Sequence, residues 1–135
     1  MMRTGLLLVC LLALTRCDES PTGPSVGLNQ RFTLAPGDTA TVQGRGVRFR
    51  FETVTGDSRC PADALCIQGG DAIVRVQASG SGSSATLELH TGDTSRASAA
   101  YGDVKVALVE LQPYPFSSRT IVPGDYRATL VASVP

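Results

Sequence analysis

Tryptophan is absent from this chain, and histidine and lysine occur once each, as His90 and Lys105. With one histidine, a zinc site would need carboxylates and thiols for its remaining ligands, so no metal is expected. Acidic and basic residues balance at twelve each. That supplies no basic stripe for a polyanion, and no nucleic-acid partner is expected. Aromatic residues make up 5% of the chain, too few to line a stacking platform for sugars or bases. A nucleophile elbow, a phosphate loop and a metal-ligand cluster are also missing, so no cofactor is implied and the chain does not read as an enzyme. Two carboxylates brought together by folding would still supply an acid and a base, which keeps a carboxylate-dependent hydrolase as an alternative. No long amphipathic helical pattern occurs.

The chain does have an apolar leader. Arg3 gives a positive start, and Gly5 to Thr15 is an apolar run of signal-peptide length, too short to span a bilayer comfortably. It ends in Leu14-Thr15-Arg16-Cys17. This resembles the bacterial lipoprotein signal, in which the cysteine is acylated, palmitate being one such group, and becomes the new N-terminus. Arg16 stands where that signal usually has a small residue. The resemblance implies lipidation at Cys17 and a membrane anchor in the cell envelope, outside the cytoplasm, in the periplasm or at the cell surface. Residues 1–16 then form the signal peptide, 17–27 a polar, Pro/Gly-rich flexible tether, and 28–135 the folded domain. Removing Arg3 and Arg16 leaves ten basic residues against twelve acidic ones. Cys60 and Cys66 remain as an even pair, which suits an oxidising compartment.

The stretch Asp57 to Gly70 interrupts a chain of short alternating segments and carries both of those cysteines. Pro61 suits the first position of a helical turn, and Asp63 would sit near that turn's free amides. A Cys60–Cys66 disulfide would contribute about 2 to 3 kcal/mol by closing a short loop. The spacing is not the Cys-x-x-Cys of redox pairs. Asp57, Asp63 and Asp71 offer oxygens for calcium, although turn formation and capping explain them more simply. With Arg59 and Gln68, they form the candidate binding loop.

Elsewhere the apolar period is two. Val47, Phe49 and Phe51 alternate with Arg48, Arg50 and Glu52, and Val74 and Val76 alternate with Arg75 and Gln77. Leu87 and Leu89 read as inward, leaving Thr86, Glu88 and His90 on the outside, with His90 a surface residue at a strand end. Gly92 to Gly102 reads as a loop with a helical turn near Ser95 to Ala100. Val104 to Leu111 is apolar enough for a central strand, and Tyr126 to Val134 closes the chain. About seven short strands with Gly/Pro turns predict an all-β antiparallel sandwich of immunoglobulin-like architecture, or a small barrel, carrying one disulfide loop.

Val54-x-x-Asp57-Ser58-Arg59-Cys60-Pro61, a second cysteine, a following glycine, Tyr114-Pro115 and the closing Tyr126-Arg127-Ala128-Thr129-Leu130 strand resemble a family of uncharacterised secreted bacterial lipoproteins. Gln68 stands where those proteins often carry tryptophan. The resemblance covers nearly all of residues 30 to 134 and implies secretion and a β-rich domain, with no catalytic residues to carry over. The expectation is a lipid-anchored structural or binding module with an envelope protein as a possible partner. The alternative is a sandwich that inhibits proteases through its loops. Candidate recognition loops are Asp57 to Gly70, Gly92 to Asp103 and Pro113 to Val122.

Overall fold

The computed structural model describes residues 23–135. The leader and the proposed lipidation site Cys17 lie outside the described residues. Nine strands follow in order: β1 (Ser25–Val26), β2 (Arg31–Leu34), β3 (Thr39–Val42), β4 (Val47–Asp57), β5 (Ala72–Gly80), β6 (Ser83–His90), β7 (Ser98–Tyr101), β8 (Val104–Gln112) and β9 (Arg127–Ser133). They form two sheets, ordered β1-β3-β4-β5-β6 and β2-β9-β8-β7. Every pairing is antiparallel except β1 with β3. The sheets pack as a sandwich and do not close into a barrel.

Alternation explains the packing. Ala72, Val74, Val76 and Ala78 of β5 are buried, as are Val47, Phe49 and Phe51 of β4 and Ala128, Leu130 and Ala132 of β9. Each strand therefore turns one face into a shared core and leaves the other toward water. In β8 the inward set is Val104, Val106 and Leu108, after which a register shift between Leu108 and Glu110 inserts one extra residue. That bulge changes the parity and turns Leu111 inward.

The expected strands are present, and two elements are new. β1 lies inside the segment read as a tether, where Ser25 and Val26 pair with Thr41 and Val42. β7 replaces most of the helical turn expected near Ser95 to Ala100, which shrinks to a 3-10 turn at Thr94–Arg96. Ser and Ala carry little pattern of their own, so here pairing with β8 decides the conformation.

Candidate functional site

One end of the sandwich gathers the loop between β4 and β5, the loop after β8 and the turn before β9. Asp57, the last residue of β4, begins the arrangement. Arg59 folds back so that Nε donates to Asp57 Oδ1 at 2.8 Å and Nη2 donates to Oδ2 at 2.7 Å. The same guanidinium donates across to the other sheet, to the carbonyls of Leu111 at 2.8 Å and Pro113 at 3.0 Å. The Tyr126 hydroxyl donates to Asp57 Oδ2 at 2.9 Å. The Tyr114 ring covers the guanidinium, its centroid 5.4 Å from Cζ. The ion pair is largely enclosed, with the Arg59 and Asp57 side chains 5% and 12% exposed.

This clasp sets the charges. Burial works to raise the Asp57 pKa, but hydrogen bonds from Arg59 and Tyr126 outweigh it and hold the carboxyl below its ordinary value. Burial, and after it the adjacent Asp57 carboxylate, pushes the Tyr126 hydroxyl up to about 12. Asp57 and Arg59, two residues of the candidate binding loop, join the two sheets.

Beyond Arg59 the loop is closed in layers. Ser58 N donates to Asp71 O at 2.7 Å, Cys60 N donates to Gly69 O at 3.0 Å, and Cys60 and Cys66 form the disulfide. Gly70 has φ +69°, and a Cβ there would lie 1.7 Å from the Ser58 carbonyl oxygen. Only glycine fits that crossing. Asp63 lies beside its own backbone amide and also accepts from Ser117 N at 2.9 Å and Ser117 Oγ at 3.1 Å. Those bonds hold its carboxyl below the ordinary value. Ala62 N donates to Pro115 O at 2.9 Å, so the cysteine loop and the loop after β8 are fastened side by side.

His90 is also a correction. It is 3% exposed, not a surface residue, and its Nδ1 meets Asp71 Oδ2 at 2.5 Å at the end of β6. Asp71 also accepts from Gly92 N at 2.7 Å and the Thr91 hydroxyl at 3.3 Å. Burial opposes its ionisation, yet the bonds from His90, Gly92 and Thr91 outweigh that and hold the pKa below the ordinary value. With Asp71 ionised, Nδ1 carries the imidazole proton. Nε2 is buried with no hydrogen-bond partner among the described residues. The pair therefore has the geometry of a base and its orienting carboxylate, with no hydroxyl or thiol hydrogen-bonded to the base.

A groove of about 410 Å³ runs beside this pair, lined by Gly70, His90, Glu110, Leu111 and Tyr114 among others. The three aspartates of the loop do not converge. Each carboxylate has its own partners, and no cluster of three or more His, Cys, Asp or Glu residues able to hold a metal occurs among the described residues. Gln68 is exposed.

Sequence reasoning missed the tip. Leu65 and Ile67, on either side of Cys66, are 104% and 106% exposed. Tyr114, Phe116 and Val122 are exposed at the same end. Two aliphatic residues beside a disulfide resemble a small core in sequence, and only the closed loop shows that they have no core to enter. No protein-family model, curated protein or solved structure matches this chain.

Proposed function

We propose that this protein is a lipid-anchored binding module of the bacterial cell envelope, acting outside the cytoplasm through the loop end of its sandwich. The observation behind this reading is the exposure of Leu65 and Ile67 on a loop whose Asp63 carboxylate is bonded to the neighbouring loop at Ser117. Solvent-facing aliphatic side chains on a braced loop gain free energy only when something covers them. The clasp, the disulfide and the Asp63–Ser117 contacts keep that surface preformed, which lowers the ordering cost of recognition. The Asp57-Ser58-Arg59-Cys60-Pro61 run, on which the resemblance to secreted lipoproteins rests, supplies the clasp and the first half of the disulfide. A disulfide also suits an oxidising compartment.

Two measurements test the reading. Intact mass of protein extracted from native membranes should match a chain starting at Cys17 plus acyl groups, and should gain two protons on reduction. A photo-crosslinking residue in place of Ile67 should give adducts in intact cells, while one in place of Thr86 on the outer face of β6 should not. An unlipidated mass removes the anchor, and equal labelling at the two positions removes the loop end as the recognition surface. Inhibition of one member of a protease panel would redirect the proposal toward the inhibitor alternative.

A further inference from the structure

Three features of the loop end bear on what covers it. The first is its scarcity of charge. Between Cys60 and Gly70 the only side chain charged at neutral pH is Asp63, whose carboxylate is bonded to Ser117, and residues 113–118 carry no charge, the exposed Arg119 at the end of that loop being the nearest exposed cation. The second is its shape. Leu65 and Ile67 project from a closed loop, with Tyr114 and Phe116 exposed on the loop fastened beside it. Aliphatic residues at a tip with aromatic residues near it match the layering of a bilayer, where hydrocarbon lies beyond an interface favoured by tyrosine. A convex tip enters a fluid phase without needing a complementary pocket.

The third is where the chain enters. Gly23 lies against Thr39, whose register partner is Arg50 in β4. From there β1 runs parallel to β3, and so away from the end where Asp57 and the cysteine loop lie. Arg50 to Asp57 covers roughly 23 Å of strand. Cys17 to Gly23 spans at most ~20 Å. Fully extended toward the loop end, the segment from Cys17 therefore comes within a few ångströms of the level of Asp57, which puts a lipid there on the same side of the domain as the cysteine loop.

We infer that Leu65 and Ile67, with Tyr114 and Phe116 beside them, form a second membrane contact that inserts into the bilayer carrying the anchor and fixes the domain's orientation. This rests on the lipid-anchored reading above and names the partner of the same surface. Each aliphatic side chain moved out of water is worth about a tenfold change in a partition constant. Two such side chains on an already tethered domain are enough to hold one orientation.

The absence of tryptophan provides the test. Ile67→Trp and, at the opposite end, Val134→Trp are introduced separately into the full chain, each variant is purified in its lipidated form, and both are reconstituted into phosphatidylethanolamine/phosphatidylglycerol vesicles. Both positions are exposed, and unchanged melting temperatures confirm that neither substitution disturbs the core. The expected result is a blue-shifted Ile67→Trp emission that lipid-borne quenchers suppress and aqueous acrylamide does not, with the reverse for Val134→Trp. If the protein floats with the vesicles while both variants remain open to acrylamide, the anchor stands and the bilayer contact is overturned, leaving a protein partner as occupant. If the lipidated protein does not float, the anchored reading and this inference fall together.

Discussion

Arg59 shows how much one side chain does here. Its guanidinium serves a carboxylate on one sheet and two carbonyls on the other, so truncation leaves Asp57 enclosed without its counter-charge. Arg59→Ala should lower unfolding free energy by about 3 to 5 kcal/mol in denaturant titrations. Arg59→Lys should not restore it, because a single ammonium cannot make the bidentate contact and reach both carbonyls. Tyr126→Phe removes one hydrogen bond to a charged acceptor and should cost about 1.5 to 3 kcal/mol. Tyr126 also sets an alkaline limit. Its folded pKa of about 12 exceeds the ordinary 10.0, so its contribution is complete below pH 10 and is lost as pH rises toward 12. Tyr126→Phe should remove that limb from a stability-versus-pH curve, and a limb unchanged by the substitution would refute the assignment.

The cysteine loop makes the corresponding case for an element. The disulfide closes so short a loop that chain entropy assigns it about 2 kcal/mol, and the Ser58–Asp71, Cys60–Gly69 and Asp63–Ser117 contacts brace the same loop without passing through either sulfur. Replacing both Cys60 and Cys66 with Ser should therefore lower stability by no more than about that amount, with the fold retained. Gly70→Ala should cost more than about 1 kcal/mol, because it combines a positive φ with a collision against the Ser58 carbonyl. How far such elements are legible in sequence depends on where their partners lie. The alternation of β4 up to Phe51, and of β5 and β9 throughout, is local, and so are their core residues. β7 is Ser98, Ala99, Ala100 and Tyr101, held by β8. His90 reads as a surface residue by parity, and it is buried against Asp71, nineteen positions earlier and just before β5. The residues of the clasp could be named from the Asp-Ser-Arg run, but their bonding could not, because the carbonyls that Arg59 reaches belong to Leu111 and Pro113 on the opposite sheet.

For the molecule as a whole, the loop end is where acid should act first. Asp57 and Asp71 both have folded pKa values below the ordinary 3.8, so each contributes stability that is present above that value and lost as pH falls below it. One carboxylate joins the two sheets through Arg59, and the other ties the cysteine loop's exit to His90, Thr91 and Gly92. Away from that end, the strands are held by backbone ladders and an apolar core, neither of which titrates. Protonation therefore weakens one end while leaving the β2-β9-β8 and β4-β5 pairings in place, and local opening should precede global unfolding. Hydrogen exchange followed from neutral pH to below 4 should show amides of residues 58–71 and 113–119 losing protection while those of β5 and β9 keep theirs, after correction for the intrinsic pH dependence of exchange. Asp57→Asn should bring part of that loss to neutral pH by weakening the ion pair in advance. A uniform loss of protection along the chain would mean that the two carboxylates support the whole sandwich rather than the end that carries Leu65 and Ile67.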